Sequence, residues 1–133
     1  MRSWLSGIIA FGAAVTLAYG HGEARFEAVL KEMLGTMEKV TTNLAGIRDE
    51  ETAKAAQPEL RKLAGQWQAL IKKAEDVAPP NREEKTRLEE AYAGRFMEAR
   101  KKLFGEVERV RGVAGGREAL AEISAVIQRK SKQ

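Results

Sequence analysis

Histidine and cysteine, the side chains that most often bind metals or carry protons near neutral pH, are almost missing from this chain. The sequence has one histidine, His21, and no cysteine. If a leader is cut after Gly20, the imidazole and the free amine of His21 stand side by side and could chelate copper. A histidine brace needs a second histidine, which the sequence lacks. His21 is therefore the single metal candidate, and we expect it to be a disordered terminal residue.

Glutamates cluster early in the third predicted helix, at Glu83, Glu84, Glu89 and Glu90. A carboxylate-bridged dimetal site would need inward-facing Glu-x-x-His pairs, and none exists. The spacing instead favours an exposed, charged helix face. Gly-rich phosphate loops and Ser/His/Asp sets are also missing. The sequence therefore predicts a protein that is not an enzyme and that holds no cofactor, neither haem nor zinc.

Methionine and aromatic side chains are the remaining candidates for a binding surface. The predicted apolar-ligand surface consists of Met33, Met37, Trp67, Phe96 and Met97. At helical spacing such residues usually form a core, so an exposed groove would indicate a carrier of an apolar ligand or of unfolded clients. A closed core would favour a scaffold instead. The polar tips of Trp67 and Tyr92 predict positions at the core margin.

The first twenty residues have the composition of an export signal. Arg2 precedes an apolar stretch over residues 4–17, and the small residues Ala18 and Gly20 follow. This order is typical of a secretory signal peptide that is cleaved off. Residues 4–20 also reach the lower limit for spanning a bilayer, so an uncleaved membrane anchor is the alternative. We expect an extracytoplasmic protein, periplasmic or secreted.

Residues 21–133 suffice for one domain with a single core. Because cysteine is absent, no disulfide supports the fold, and stability depends on packing. The formal net charge is +4 at pH 7, and it is spread along the chain without the dense basic stripe of a nucleic-acid interface. We predict no nucleic-acid partner, and contact with a membrane only through an uncleaved N-terminus.

Apolar residues recur every three or four positions in four successive segments, which predicts helices over 23–47, 49–77, 82–113 and 117–128. The first stripe is heptad-like and runs through Phe26, Leu30, Met33, Met37, Val40, Leu44 and Ile47. The third follows an eleven-residue repeat through Leu88, Tyr92, Phe96, Ala99, Leu103, Val107 and Val110. No segment alternates as a strand would.

Helix boundaries are marked by capping residues and breakers. Asp49 and Asn81 are predicted N-caps, the latter in a capping box with Glu84. Pro58 falls inside the second segment, although the apolar register continues across it. It predicts either a kinked continuous helix or a loosely packed first two turns.

Short connections predict that the first and second helices, and the second and third, pack as antiparallel neighbours. The fourth helix, about three turns long, is expected to fold back over the open end. The predicted fold is all-α, an antiparallel three-helix bundle of long helices with a short C-terminal fourth helix, preceded by a signal peptide.

The stretch from Met37-Glu38 to Asn43-Leu44, followed by a hairpin and Pro79-Pro80, resembles the first half of cytochrome b562-type bundles. In those proteins a methionine of the first helix and a histidine of the last hold haem. The resemblance gives Met37 the position of that methionine. No histidine follows residue 21, so haem binding is not expected.

Four features occur together in this chain. They are an export signal, a methionine-rich first helix, the segment 49–56 leading to Pro58-Glu59-Leu60, and a proline link before a charged helix. With these features, residues 26–127 resemble small exported helical proteins of unknown function from planctomycete-type bacteria. Many of those are lipoproteins, whose lipid-bearing cysteine this chain lacks. We expect a non-enzymatic interaction or structural module of the periplasm or cell envelope, with an unknown protein or envelope component as partner.

Overall fold

Four helices make up the part of the chain described by the computed structural model, which covers residues 22–77 and 79–129 and the side chains of 25–77 and 79–124. Helix α1 spans Gly22–Ala45, α2 Glu50–Asp76, α3 Arg82–Arg111 and α4 Gly116–Arg129. The all-α prediction of three long helices and a short fourth is confirmed. The predicted signal peptide and His21 lie outside the described residues. No helix within the described ranges has the length and apolar content needed to cross a membrane.

The core is built from the predicted apolar stripes. Every residue of the first and third stripes is buried. Helix α2 contributes Leu60 and Leu63, which are fully buried, while Trp67 is half-buried and packs against the core. Helix α4 adds Leu120 and Ile123. Because burial of one leucine stabilises a fold by about 1.5–3 kcal/mol, the stripes supply the main stabilising contribution in a chain without disulfides.

Both predicted N-caps form. The Asp49 carboxylate accepts a hydrogen bond from the Thr52 N–H at 2.9 Å, and the Thr52 hydroxyl accepts one from the Asp49 N–H at 3.0 Å. The Asn81 side chain likewise accepts from the Glu84 N–H at 2.9 Å. Each box satisfies N–H groups that have no partner within the first turn of a helix.

Helix α2 continues through Pro58 without interruption. Of the two alternatives for this segment, the continuous helix is the one observed. The loosely packed start is wrong, since Ala53 is fully buried. It lies against Gly115, where an added Cβ would come within 3.3 Å of the Ala53 Cβ.

The second and third helices are not neighbours. Helix α1 contacts both α2 and α3, and within the described ranges no Cα atom of α2 comes within 8 Å of one of α3. The prediction that these two pack together is therefore wrong. Residues 77–81 can extend over roughly 16 Å. That length reaches the diagonal position of a bundle whose neighbouring helices are about 8–10 Å apart.

Helix α4 folds back as expected, but along α2 rather than over the end of the bundle. It contacts α2 and α3. Its start lies beside Ala53, and further along the Arg61 guanidinium donates to both oxygens of Glu122 at 3.1 and 2.9 Å. This placement packs the apolar face of α4 against the neighbouring helices, where Leu120 and Ile123 are buried.

Acid should weaken the Asp49 cap and the link between α2 and α4. Hydrogen bonds from Thr52 lower the pKa of Asp49, and the hydrogen bond from Arg61 lowers the pKa of Glu122. A carboxyl with a lowered folded-state pKa stabilises the fold above its unfolded-state pKa, and this contribution is lost as pH falls through the folded-state pKa. We expect the urea midpoint to decrease in that acidic range.

The double variant Asp49→Asn with Glu122→Gln is the control for this prediction, because neither amide titrates and asparagine is also a good N-cap. Its urea midpoint should change less between neutral and acidic pH than that of the original protein. An equal decrease in both would assign the acid sensitivity to other carboxylates.

Candidate docking surface

Two large apolar side chains of α3 lie outside the core. Met97 is 68% exposed and Phe104 is 39% exposed, and these are the exposed large hydrophobics among the described side chains. Each follows a buried stripe residue, Phe96 or Leu103, by one position, which places it about 100° round the helix. Seven residues correspond to nearly two turns, so Met97 and Phe104 lie on the same side of α3, roughly 10 Å apart along its axis.

Two exposed cations, Arg100 and Lys101, lie between these apolar side chains. The Arg100 guanidinium carbon is 5.4 Å from the centroid of the Phe104 ring, within the range of a cation–π interaction. Helical geometry puts Arg100 and Lys101 on opposite flanks of the line from Met97 to Phe104. We call Met97, Arg100, Lys101 and Phe104 the α3 patch.

An open groove of about 840 Å³ lies on another side of α3, between α1 and α3. Its charged walls balance, with Glu38 and Glu98 against Arg95 and Lys102. The hydroxyl of Thr41, which also lines it, already donates to a backbone carbonyl of its own helix. Balanced charge and a hydroxyl already bonded to the backbone give this groove no group directed at a ligand.

The predicted apolar-ligand surface is divided between the core and the exterior. Met33, Met37 and Phe96 are buried, with 3, 5 and 6% of each exposed. Trp67 is half-buried on α2, and Met97 is exposed. The structure thus does not bring the five side chains together on one surface, and a ligand reaching the buried three would have to separate the helices. The carrier function stays a prediction.

The acidic residues in the first turn of α3 stabilise the start of that helix. Glu84 belongs to the capping box, and Glu83 adds negative charge to the first turn, where the helix dipole favours it. Within the described part of the chain, no group of three or more His, Cys, Asp or Glu side chains is placed to hold a metal ion.

Tyr92 ties α3 to α1 at the core margin. Its hydroxyl donates to Glu27 at 2.6 Å, and the Arg87 guanidinium is 3.7 Å from the other oxygen of the same carboxylate. Burial raises the pKa of the Tyr92 phenol, with the hydrogen bond to Glu27 acting in the same direction. The phenol therefore remains a neutral donor at pH 7. Tyr92 itself is buried, with 4% exposed, and only its hydroxyl reaches the predicted core margin, at the half-buried Glu27.

Arg109 ties the other end of α1 to α3. Its guanidinium donates to the carbonyls of Ile47 at 2.9 Å and Leu44 at 2.8 Å, and it also bonds Glu106 at 3.0 Å. The Leu44 carbonyl lies in the last turn of α1 and also accepts from the Ile47 N–H at 3.0 Å, so Arg109 gives it a second hydrogen bond. The Ile47 carbonyl lies just beyond the helix, where a carbonyl has no helical partner. The sequence pattern gave no signal for it, because its acceptors are 62 and 65 residues away.

We expect Arg109→Met to lower the free energy of unfolding by about 1–3 kcal/mol, because it removes charged hydrogen bonds to two backbone carbonyls. Arg111→Met is the matched control, since Arg111 makes an exposed pair with Glu108 on its own helix. Such a pair contributes about 0.5 kcal/mol or less. Equal losses in urea titrations of the two variants would contradict the role assigned to Arg109.

The α3 patch thus lies on a helix that is held on either side of the patch, by Tyr92 and by Arg109, and that buries another of its faces in the core. Because the backbone beneath it is held in place, the four residues keep their positions on one side of the helix. No family model, curated protein or solved structure matches this chain.

Proposed function

We propose that this protein is an exported, non-enzymatic interaction module that docks on a component of the cell envelope through the α3 patch. The observation that carries the proposal is the exposure of Met97 and Phe104 on one side of a firmly held helix. The signal-like composition of residues 1–20 supports the extracytoplasmic location.

Exposed apolar residues that occur singly need no explanation, but two on one face differ from the rest of this surface. The other large apolar side chains among the described residues are buried or half-buried. Removing apolar area from water contributes about 25 cal/mol per Å², so a partner covering both side chains gains this contribution. Methionine, aromatic residues and arginine are also enriched at interfaces, and the α3 patch contains all three types.

The perturbed titratable groups support a non-enzymatic role. Catalysis near neutral pH generally relies on groups whose pKa is tuned by their surroundings. Among the described residues, each resolved pKa shift arises from a structural contact: the cap at Asp49, the Arg61–Glu122 bridge, or the burial of Tyr92. None of these residues lines the open groove between α1 and α3.

A photo-crosslinking side chain at position 97, introduced into the protein in its native cells, tests the docking role. We expect a discrete adduct, with lipid or with protein, that identifies the neighbour of the α3 patch. The same side chain at Gln68, an exposed position on α2, is the matched control. If positions 97 and 68 give the same labelling pattern, the α3 patch is not a docking surface.

The proposed export has a separate test. We expect the mass of the protein from the envelope or the medium to lack the first residues, because signal peptidase removes them. A mass beginning at Met1, found in the membrane fraction, would establish the anchor in place of a cleaved signal.

A further inference from the structure

We infer that the α3 patch binds the anionic headgroups of a phospholipid surface. This inference rests on the docking role proposed above and names its partner. It is carried by two apolar side chains, Met97 and Phe104, and two cations, Arg100 and Lys101, that share one exposed face.

The charge of the α3 patch selects an anionic partner. Arg100 and Lys101 are exposed, and Glu98, the acid within this stretch, lines the groove toward α1 instead. Glu108, one turn beyond Phe104, is paired with Arg111 at 2.8 Å. The α3 patch therefore presents a net positive charge, and each basic residue close to an anionic lipid surface strengthens binding by a factor of roughly five.

A second copy of this chain is a poor partner. An antiparallel pair of α3 helices with Met97 of each covering Phe104 of the other has its centre between residues 100 and 101. That arrangement gathers Arg100 and Lys101 of both copies at the middle of the contact. Like charges in a desolvated interface oppose association.

A protein partner is also disfavoured by the small apolar area. Stable protein interfaces bury about 1,200–2,000 Å² around a packed apolar centre. The α3 patch offers two apolar side chains, roughly 10 Å apart on a convex helix and with cations between them.

A lipid surface fits this arrangement because it requires no complementary pocket. Met97 and Phe104 can each enter the interfacial layer separately, while the long side chains of Arg100 and Lys101 reach the phosphates. Helix α3 would then lie parallel to the membrane plane with the bundle above it. Glu90, an exposed acid two turns before Met97, limits the contact to the C-terminal half of α3.

Vesicle co-sedimentation tests the inference, using the protein as isolated from an export-competent host. The probes are vesicles of equal phosphatidylglycerol and phosphatidylcholine and vesicles of phosphatidylcholine alone. We expect binding to the anionic vesicles to be at least about tenfold tighter, and to weaken with added salt because salt screens exposed charges. Equal affinity for the two vesicle types would overturn the inference.

Charge-removing variants locate the contact. We expect the double variant Arg100→Gln with Lys101→Gln to bind anionic vesicles roughly 25-fold more weakly. The control is Lys54→Gln with Lys62→Gln, which removes the same charge from exposed positions on α2 and should change binding by less than about threefold. If both double variants bind equally, net charge and not the α3 patch is responsible, and the inference fails.

Met97→Gln examines the apolar part of the contact without disturbing the core, because Met97 is 68% exposed. We expect several-fold weaker binding to anionic vesicles and an unchanged thermal melt. If binding to anionic vesicles is unchanged, the Met97 side chain contributes nothing to it, and the inference is overturned.

The crosslinking experiment at position 97 separates this inference from the docking role itself. A specific protein adduct at Met97, with no preference for anionic vesicles, would overturn the lipid inference and leave the docking function in place. Control-like labelling at position 97, with no vesicle binding, would contradict both.

Discussion

Gly116→Ala is expected to lower the free energy of unfolding by about 3 kcal/mol or more. A Cβ at Gly116 would overlap the carbonyl of Val110, which is backbone in the last turn of α3 and cannot rotate away. Helix α4 would have to move off α3, and Ala119 and Leu120 would leave the core with it. Urea denaturation followed by circular dichroism measures the loss.

Gly65→Ala is the matched control, because it makes the same chemical change in the middle of α2. An added Cβ at Gly65 meets nothing within 4 Å. Alanine should therefore raise the free energy of unfolding by about 0.5–1 kcal/mol, since it restricts the unfolded chain and favours the helix. If both variants shift stability in the same direction, the close approach at Gly116 does not constrain the turn.

Leu63→Ala should lower the free energy of unfolding by about 2–5 kcal/mol, because truncation of a buried leucine leaves a cavity. Leu63 is 1% exposed and lies in the middle of α2. Leu103→Ala should fall in the same range, since Leu103 is buried on the core face of α3. Thermal or urea melts of the two variants test the assigned registers.

Pro58→Ala should leave the free energy of unfolding unchanged or slightly higher. Alanine restores a helical hydrogen-bond donor at an exposed position, although it also frees the unfolded chain. A melt in which Leu63→Ala is unchanged and Pro58→Ala collapses would show that the register of α2 is wrong.

The helices, their buried faces and their caps were predictable from the sequence, because residues only a few positions apart determine them. The recurrence of Leu88, Tyr92 and Phe96 identifies the buried face of α3, and all three are buried. Asn81 and Glu84 are three residues apart in the chain, so their capping box follows from their spacing alone. The same reasoning gave the four helices to within two residues at each end.

Long-range features were not predictable from spacing. A short connection brings helix ends together, but residues 77–81 are long enough to reach either an adjacent or a diagonal position. Similarly, Arg109 and its carbonyl acceptors are separated by more than 60 residues. Neither the separation of α2 from α3 nor the contact of Arg109 with these carbonyls produces a periodic pattern in the sequence.

The candidate surface was only partly visible in the sequence. Met97 was included among the predicted ligand residues, but it was grouped with Met33 and Met37 by residue type rather than by helix face. The eleven-residue stripe of α3 passes through neither Met97 nor Phe104, which agrees with their exposure in the structure. Only the structure shows that these two residues share an exposed face with Arg100 and Lys101, because that depends on which helices pack against α3.

We expect α4 to affect the unfolding rate of the protein more than its folding rate. Its bridge from Arg61 to Glu122 closes 61 residues of chain, whereas α1 and α2 are joined by a short turn. The contacts of α3 with α1 close loops of similar length, 62 and 65 residues. Because closing long loops costs more entropy, we expect the α1–α2 hairpin to form before α3 and α4 dock on it, with α4 packed only after the folding transition state. Substitutions in α4 should then accelerate unfolding and leave the folding rate nearly unchanged.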